Sequence, residues 1–553
     1  MADNKQGLFF IRYNNVQNIS FMKYYKNLLH FVSLSLLSLI LYSCSIKEEM
    51  SKQSYPNILF IPVDDLRPNL GCYGDPVAVT PNIDRLAQEG VTFTRTYCQQ
   101  AVCNPSRVSL LTGLRPDSVR VWDLRTEFRN NLPDIVTLPQ YFKINGYYVY
   151  GIGKIFHNIY PDSISWTEKP HVDGYPFDPD AVYINDENLR RIEEKKLEYI
   201  ENGVDRIDRL GYWYIKTVAT EIADVADDAY FDGAQTTAAL KKMDELANKD
   251  QPFFIAVGYY RPHLPFNAPK KYWDLYNRDS IPLAENKFLP SNSPIYAMNR
   301  SNELRSYEDF RDLPYPEGES LDKKRQRLLK HGYYASVSYI DAQIGRLING
   351  LKKLGLYENT IVVIWGDHGW KLGEHNAWCK QTNYEIDTRV PMIISGAKVN
   401  AKGKLCNRLT EFVDIYPTLC EMAGLDVPDY LHGVSVTPLL DDPEIQWKTA
   451  VFSQFLQGRF GRMHKDYEGK EYMGYAIRTD QYRYVEWFEW NKDEGKKGNY
   501  LSNELFDHYI DPEENNNIAN EIENKNVVEL LSQQLNRGWR YSKPKTQQTT
   551  NTR

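Results

Sequence analysis

No Cys-x-x-Cys pair occurs in the 553 residues, nor a long basic run, nor an internal repeat. The first absence removes the familiar thiolate pattern for a zinc site. The second, with a net charge of −7, argues against nucleic acid as a partner. A negative chain can still bind a polyanion where a cleft is locally basic. Long apolar stretches are also missing. The longest, Leu28 to Tyr42, is too short to span a bilayer comfortably and has the shape of a signal peptide behind Lys23 and Lys26. Cysteine is sparse, with seven residues, and sequence alone assigns no pairing among them; Cys406 and Cys420 are one pair that an oxidising compartment would permit.

Hydrophobic residues at 42% and charged residues at 25% are ordinary for a globular protein, and the length allows a large core and two domains. The 40 tyrosines and 11 tryptophans serve core packing or the faces of sugar rings.

Several strands end in reactive residues. Asn57 to Val63 is a continuous apolar run, read as a buried strand, and ends in Asp64-Asp65. Adjacent carboxylates there repel each other unless a cation lies between them, and hard divalent ions take such oxygens; the alternative is a solvated acidic loop. Tyr147 to Gly151 leads to Lys154 and His157, three residues apart, which one helical turn would point the same way. Gln251 to Gly258, read as another buried strand, leads to His263, whose flanking Pro262 and Pro265 stiffen the backbone, either to hold an imidazole still or simply as a structural loop. Thr360 to Trp365 ends in Asp367-His368-Gly369-Trp370, a second acidic strand end suited to the cation of the first. Lys380 follows, before a strand at Val390 to Ser395. Helices are expected from Pro81 and over 329–354 and 525–537, and 160–228 reads as irregular. Tyr475–Thr479, Tyr482–Trp487 and Glu504–Asp507 read as antiparallel strands.

The segment Ala101 to Gly113 reads as a loop entering a helix, with Pro105 in the first turn and Val108, Leu111 and Leu114 at helical spacing. Cys103 then stands at a helix N-terminus, which favours anions and is expected to lower a thiol's pKa. The bland alternative is a reduced structural cysteine.

Cys103-Asn104-Pro105-Ser106-Arg107 followed by Leu111-Thr112-Gly113 resembles the signature of the type I sulfatases, in the alkaline-phosphatase-like superfamily. Val63-Asp64-Asp65-Leu66-Arg67-Pro68, Ile155-Phe156-His157 and Gly366-Asp367-His368-Gly369-Trp370 resemble its iduronate-2-sulfatase branch; Asn104 departs at a variable position. The resemblance, over about 56–520, implies an α/β fold with a large mixed sheet between helices and a smaller C-terminal antiparallel sheet. It implies that Cys103 becomes 3-oxoalanine (formylglycine) through a maturation enzyme, and that its hydrate is the nucleophile. By the same resemblance Asp64, Asp65, Asp367, His368 and the modified Cys103 hold Ca²⁺. Arg107 and Lys154 hold the hydrate, and Lys154 and Lys380 stabilise the transferring sulfuryl group. His263 protonates the leaving sugar hydroxyl and His157 takes a proton to expel sulfate. Arg120 and Trp370 would contact the sugar, and the substrate would be a sulfated oligo- or polysaccharide. The resemblance favours a 2-O-sulfated uronate of a glycosaminoglycan, with algal ulvan as the other source. A phosphatase or phosphonate hydrolase of the superfamily, and a non-catalytic glycan-binding lipoprotein, are the rival classes.

Leu41-Tyr42-Ser43-Cys44 resembles a bacterial lipobox, and the Lys47-Glu48-Glu49 that follows resembles the surface-export tag of Bacteroidetes lipoproteins. This implies a membrane anchor through lipid on Cys44, and an outer-membrane lipoprotein at the cell surface or in the periplasm, against simple secretion. The expected layout is a leader over 1–44, with Met22 as an alternative start, a tether over 45–54, a catalytic domain over 55–440 and an α+β subdomain over 441–545.

Overall fold

The computed structural model describes residues 55–157, 160–171, 182–203, 215–458, 470–491 and 494–544. The leader with Cys44, and the tether up to residue 54, lie outside the described residues. From Pro56 onward the chain is one compact unit.

The chain enters at β1 (Asn57–Val63), every residue of which is buried. Helix α1 (Pro81–Gln88) starts with Pro81 in its first position, and the Thr80 hydroxyl before it serves Gly71 N and Asp84 rather than the helix end. Next come β2 (Gly90–Tyr97), α2 (Cys103–Thr112) and β3 (Tyr148–Gly153). They are followed by α3 (Asp186–Glu201), α4 (Phe231–Ala247), β4 (Phe253–Gly258), the long α5 (Lys323–Lys353), β5 (Thr360–Gly366), β6 (Arg389–Gly396) and β7 (Lys404–Cys406). The main sheet runs β7-β2-β6-β5-β1-β4-β3, and within this order β6 alone is antiparallel to its neighbours.

Both faces of this sheet are covered, which is why its central strands are apolar without alternation. On one side Leu59, Ile61, Ile255, Val257, Val362 and Ile364 pack into a core shared with Met243 and Leu246 of α4 and with Val337, Ile340, Ile344 and Leu347 of α5. On the other, Phe60 meets Phe254 and Trp365 at ring-centroid distances of 5.6 and 5.5 Å, and Trp365 meets Phe412 at 5.2 Å.

Residues after 440 form a second sheet, β8 (Val451–Gln457), β9 (Tyr472–Arg478), β10 (Tyr482–Asn491) and β11 (Lys496–Asp507), antiparallel throughout, with α6 (Lys525–Arg537) against it. It shares a core with the larger part, where Phe455, Val485, Trp487 and Phe506 pack with Val102, Ala377 and Tyr384. Strand β8 also grips the approach to α2, since Gln454 N donates to Gln99 O at 2.8 Å and Ser453 Oγ to Cys98 O at 2.6 Å.

Two expectations change. Helix α3 stands within the region read as irregular. It is so rich in charge that its apolar stripe reduces to Leu189, Ile192 and Tyr199, packed on Val182, Ile215 and Phe231. The described cysteines, Cys406 and Cys420 included, are all free thiols.

Ile364 is fully buried mid-strand in β5. Ile364→Ala is expected to cost about 2–5 kcal/mol through lost transfer energy and a residual cavity, read as a lower midpoint in urea with an unchanged slope.

Candidate active site

Register builds the site. Strands β1 and β5 pair from Asn57↔Thr360 to Val63↔Gly366, so the residues that follow, Asp64 and Asp367, leave the sheet side by side. Strands β3 and β4 end together at Gly153↔Gly258, and Val63 bridges to Tyr259. The residues after four parallel strands therefore share one edge, where parallel α/β sheets gather ligands. Gly153 has φ +77°, and a Cβ there would lie 2.1 Å from Gly258 O; a Cβ on Gly258 would lie 2.2 Å from Lys154 O. Only glycines let these two strand ends close, and the closure brings Lys154 inward.

Helix α2 enters the same edge. Its first residue is Cys103, and all ten of its residues are buried. The Arg107 side chain is wholly buried, with Nε 2.8 Å from Asp367 Oδ2, Nη2 3.1 Å from Asp64 Oδ1 and Nη1 on the carbonyls of Lys154 and Ile155. Lys154 Nζ pairs with Asp64 Oδ2. Lys380 Nζ lies 2.6 Å from Asp65 Oδ1 and 3.5 Å from Cys103 Sγ. Cys103 Sγ is 3.2 Å from His368 Nε2. Asp65 takes φ +58°, and its backbone is held at both ends, N to Asp367 Oδ1 at 2.9 Å and O to Tyr333 Oη at 2.9 Å.

Charge and burial set the protonation states. Burial raises the Asp64 carboxyl, but Lys154 and Arg107 overcome it and hold the group well below the usual range. Burial lifts Asp65 to about 7, with Lys380 opposing and Asp64 adding to the rise. Burial and then Lys154 push His157 down to about 3, leaving it a neutral base at neutral pH. The expected lowering of the Cys103 thiol is corrected. Burial first, then the Asp64 carboxylate, raises it well above the ordinary value, and Lys154 and Lys380 only partly oppose this.

The donor set suits a divalent cation. Ligand atoms of Asp64, Cys103, Asp367 and His368 lie within 4.8 Å of one another, and those of Asp64, Asp65 and His263 form a second such group. Asp65 Oδ2 is buried without a hydrogen-bond partner. His368 Nδ1 is 3.0 Å from Gly369 O, and its Nε2 faces Asp65 Oδ1 at 3.4 Å and Asp367 Oδ1 at 3.6 Å. Oxygen predominates in this donor set, as hard cations prefer.

His263 stands at the rim, Nε2 3.9 Å from Asp65 Oδ2, in a loop with cis bonds before Pro262 and Pro265. His157 reaches the cluster through its field rather than by a hydrogen bond, since its Nδ1 is buried without a partner. Lys154 to Phe156 form a bend rather than the expected helical turn, because the chain leaves β3 through the tight Gly153. Trp370, 1% exposed, forms a wall of the site, with Lys380 Nζ 5.0 Å from its ring and the His263 ring 6.5 Å away. Arg120 does not join these residues; it is exposed and donates to Glu494 O at 3.2 Å beside Gly495. Asn104 is explained by its Nδ2, which holds Asp123 O and Thr126 O.

With this geometry in hand, comparison with known proteins assigns the chain. The sulfatase family model matches residues 56–425, two thirds of the sequence. This protein is a member of the sulfatase family. A second model, the C-terminal region of N-sulphoglucosamine sulphohydrolase, matches residues 373–540. Human iduronate 2-sulfatase is 32% identical over 533 residues, covering 86% of this sulfatase and 93% of the human protein. A sulfatase of Formosa agariphila is 30% identical over 513 residues, covering 90% of each. A solved structure of a protein bound to its substrate D-glucosamine-2-N,6-O-disulfate is alike in fold, with TM-score 0.62 and 22% identity over 88% of this chain and 99% of that one. The alkaline-phosphatase-like α/β architecture and sulfuric ester hydrolysis follow from membership, and members of the family generally use a formylglycine and a divalent metal.

Sequence reasoning missed Ser106, whose Oγ donates to Asp367 O at 2.5 Å, and Tyr333, which supports Asp65 from α5. It also missed Glu303 and Lys216. Glu303 lies between His263 and Lys380. Lys216 lines a small cavity with His263, Tyr183 and Tyr307, stands 5.0 Å from the Tyr307 ring, and feels the Glu303 carboxylate through its field.

Removing Arg107 would leave Asp64 and Asp367 facing each other. In metal-free protein, Arg107→Met is expected to lose about 3–5 kcal/mol, the scale for breaking a buried ion pair from one side, measured by urea unfolding.

Proposed function

We propose that this sulfatase removes the 2-O-sulfate of a uronic acid at the non-reducing end of a glycosaminoglycan fragment. The observation that carries the chemistry is Cys103 Sγ, set between Lys380 and His368 at the edge of a cluster of carboxylates and fixed cations. The relationship to iduronate 2-sulfatase over nearly its whole length supports the sugar, and Lys216, beside His263, supports an acidic one.

In this reading Cys103 is oxidised to formylglycine by a dedicated maturation enzyme, and its hydrate supplies the nucleophile. Asp64, Asp65, Asp367 and His368 hold Ca²⁺, which neutralises sulfate oxygens when bound. Arg107 and Lys154 orient the residue at position 103 and keep water from their own carboxylate partners. Lys380 sits where charge on the sulfuryl group develops. His263 gives a proton to the departing sugar oxygen, and the neutral His157 accepts one from the hydroxyl that remains. Arg120 stays a candidate for the outer part of a longer substrate, since it lies apart from the cluster. The chain reaches the outer membrane as a lipoprotein anchored at Cys44.

Sulfate release from defined disaccharides, with Cys103 conversion verified by mass spectrometry, tests the substrate. Release from 2-O-sulfated uronate alone is expected. Release only from an ulvan fragment, or only from 6-O- or N-sulfated hexosamine, would redirect the sugar assignment, and turnover of phosphate monoesters alone would overturn the sulfatase chemistry. Cys103→Ala is expected to lower turnover on the order of 10⁴-fold or more while leaving the urea midpoint near wild type. Chelation should abolish activity, and added Ca²⁺ should restore it with a calorimetric binding signal that Asp64→Asn lacks. Cys44→Ser should move the protein from the membrane to the soluble fraction of its host.

A further inference from the structure

Glu303 lies in a segment without helical or strand periodicity, yet the structure ties it to the site from two sides. Its carboxylate is 2.8 Å from His263 Nε2 through Oε1 and 3.3 Å from Lys380 Nζ through Oε2. The turn before it is clipped to the segment that carries Lys380. Ser301, at φ +58°, accepts from Trp378 N at 2.8 Å through Oγ, and Asn299 joins Ser301 N and Gln381 Oε1 at 2.6 Å each. The far side of the imidazole is also taken, with Nδ1 2.6 Å from Leu264 O. Below it, Arg261 Nη1 donates to His263 O at 2.8 Å, and the Arg261 backbone is held by Asp232.

Both ring nitrogens therefore face acceptors, and neither contact survives a rotation of the ring. The Nε2 edge also looks toward Asp65 Oδ2, so the edge that Glu303 fixes is the one that opens on the cluster. A continuous line of contacts runs Cys103–Lys380–Glu303–His263, from the residue that becomes the nucleophile to the group beside the leaving oxygen.

We propose that Glu303 is a positioning residue, one carboxylate that sets His263 and Lys380 in a common geometry for departure of the sugar. This rests on the reading of His263 as leaving-group acid. As sulfur bonds to the hydrate oxygen at position 103 and its bond to the sugar oxygen breaks, the sugar oxygen keeps the bonding pair and takes the proton that Nε2 shared with Glu303. The ring keeps its Nδ1 proton on Leu264 O and ends neutral, and Glu303 stays ionised and chemically unchanged. Removing it costs orientation, most where protonation of the leaving group matters most.

The test uses Ca²⁺-loaded enzyme with Cys103 converted, and a series of aryl sulfates from nitrophenyl to unsubstituted phenyl, whose leaving phenols fall in acidity. Wild type should show a shallow dependence of kcat/KM on leaving-group acidity. His263→Gln and Glu303→Gln should both be steep, each losing on the order of tenfold or more extra on phenyl sulfate relative to nitrophenyl sulfate. The double variant should be no steeper than His263→Gln, and Glu303→Asp should recover part of the loss. A shallow His263→Gln would sink the acid assignment itself. A steep His263→Gln with an equal loss on every substrate for Glu303→Gln would overturn the positioning role alone. A crystal structure of Ca²⁺-loaded Glu303→Gln decides the point without turnover: a displaced or multiply placed His263 ring supports the proposal, and an unmoved ring overturns it.

Discussion

Arg107 is the interaction on which the site depends. Two parallel strands deliver Asp64 and Asp367 to adjacent, fully buried positions, and in a poorly solvated interior two such carboxylates repel strongly. A guanidinium with donors in a fixed fork engages both, and its third arm holds the carbonyls of Lys154 and Ile155 just after β3. A lysine at the same position could reach one carboxylate but not span three elements. Because Arg107 is one helical turn beyond Cys103, the clamp that neutralises the carboxylates also sets the depth at which Cys103 enters the cluster.

That depth resolves a conflict between two physical effects. A helix N-terminus favours the thiolate, with an influence confined to the first turn. Complete burial favours the neutral thiol, and so does a carboxylate at close range. Asp64 and desolvation prevail at Cys103. The unmodified thiol is therefore a poor nucleophile, which fits a family whose members generally convert this position to a group of different chemistry.

The parts of the site that sequence made visible are those fixed by local rules. Apolar runs of strand length announced β1, β4 and β5, and the residues after them became the cluster because parallel strands end on one edge. The antiparallel sheet was legible except for β8, whose Ser453, Gln454 and Gln457 interrupt its apolar pattern although all seven residues are buried. Glu303, Lys216 and Tyr333 obeyed no such rule. Glu303 reaches His263 across forty residues and Lys380 across seventy-seven, through a turn stabilised by Asn299 and Ser301. Tyr333 sits in a helix whose pattern explains its burial but not its hydroxyl. The pairing of Lys154 with His157 on a helical turn failed for a local reason of the opposite kind, a left-handed glycine that turns the chain inward before a helix can start.

The balance of charge gives the last constraint. Asp64, Asp65, Asp367 and Glu303 face Arg107, Lys154 and Lys380, so the bare cluster carries one excess negative formal charge and its ammonium groups lie on the carboxylates. A divalent ion bound to the same oxygens, the unpartnered Asp65 Oδ2 among them, would turn the cluster positive and leave Lys154 and Lys380 with weaker claims on their carboxylates. An anionic ester would then complete the balance. The fixed cations thus offset the buried carboxylates, and would be available to an anion if a divalent ion took over the same oxygens. Arg107, with four partners and no exposure, has no freedom to follow and remains structural in both states.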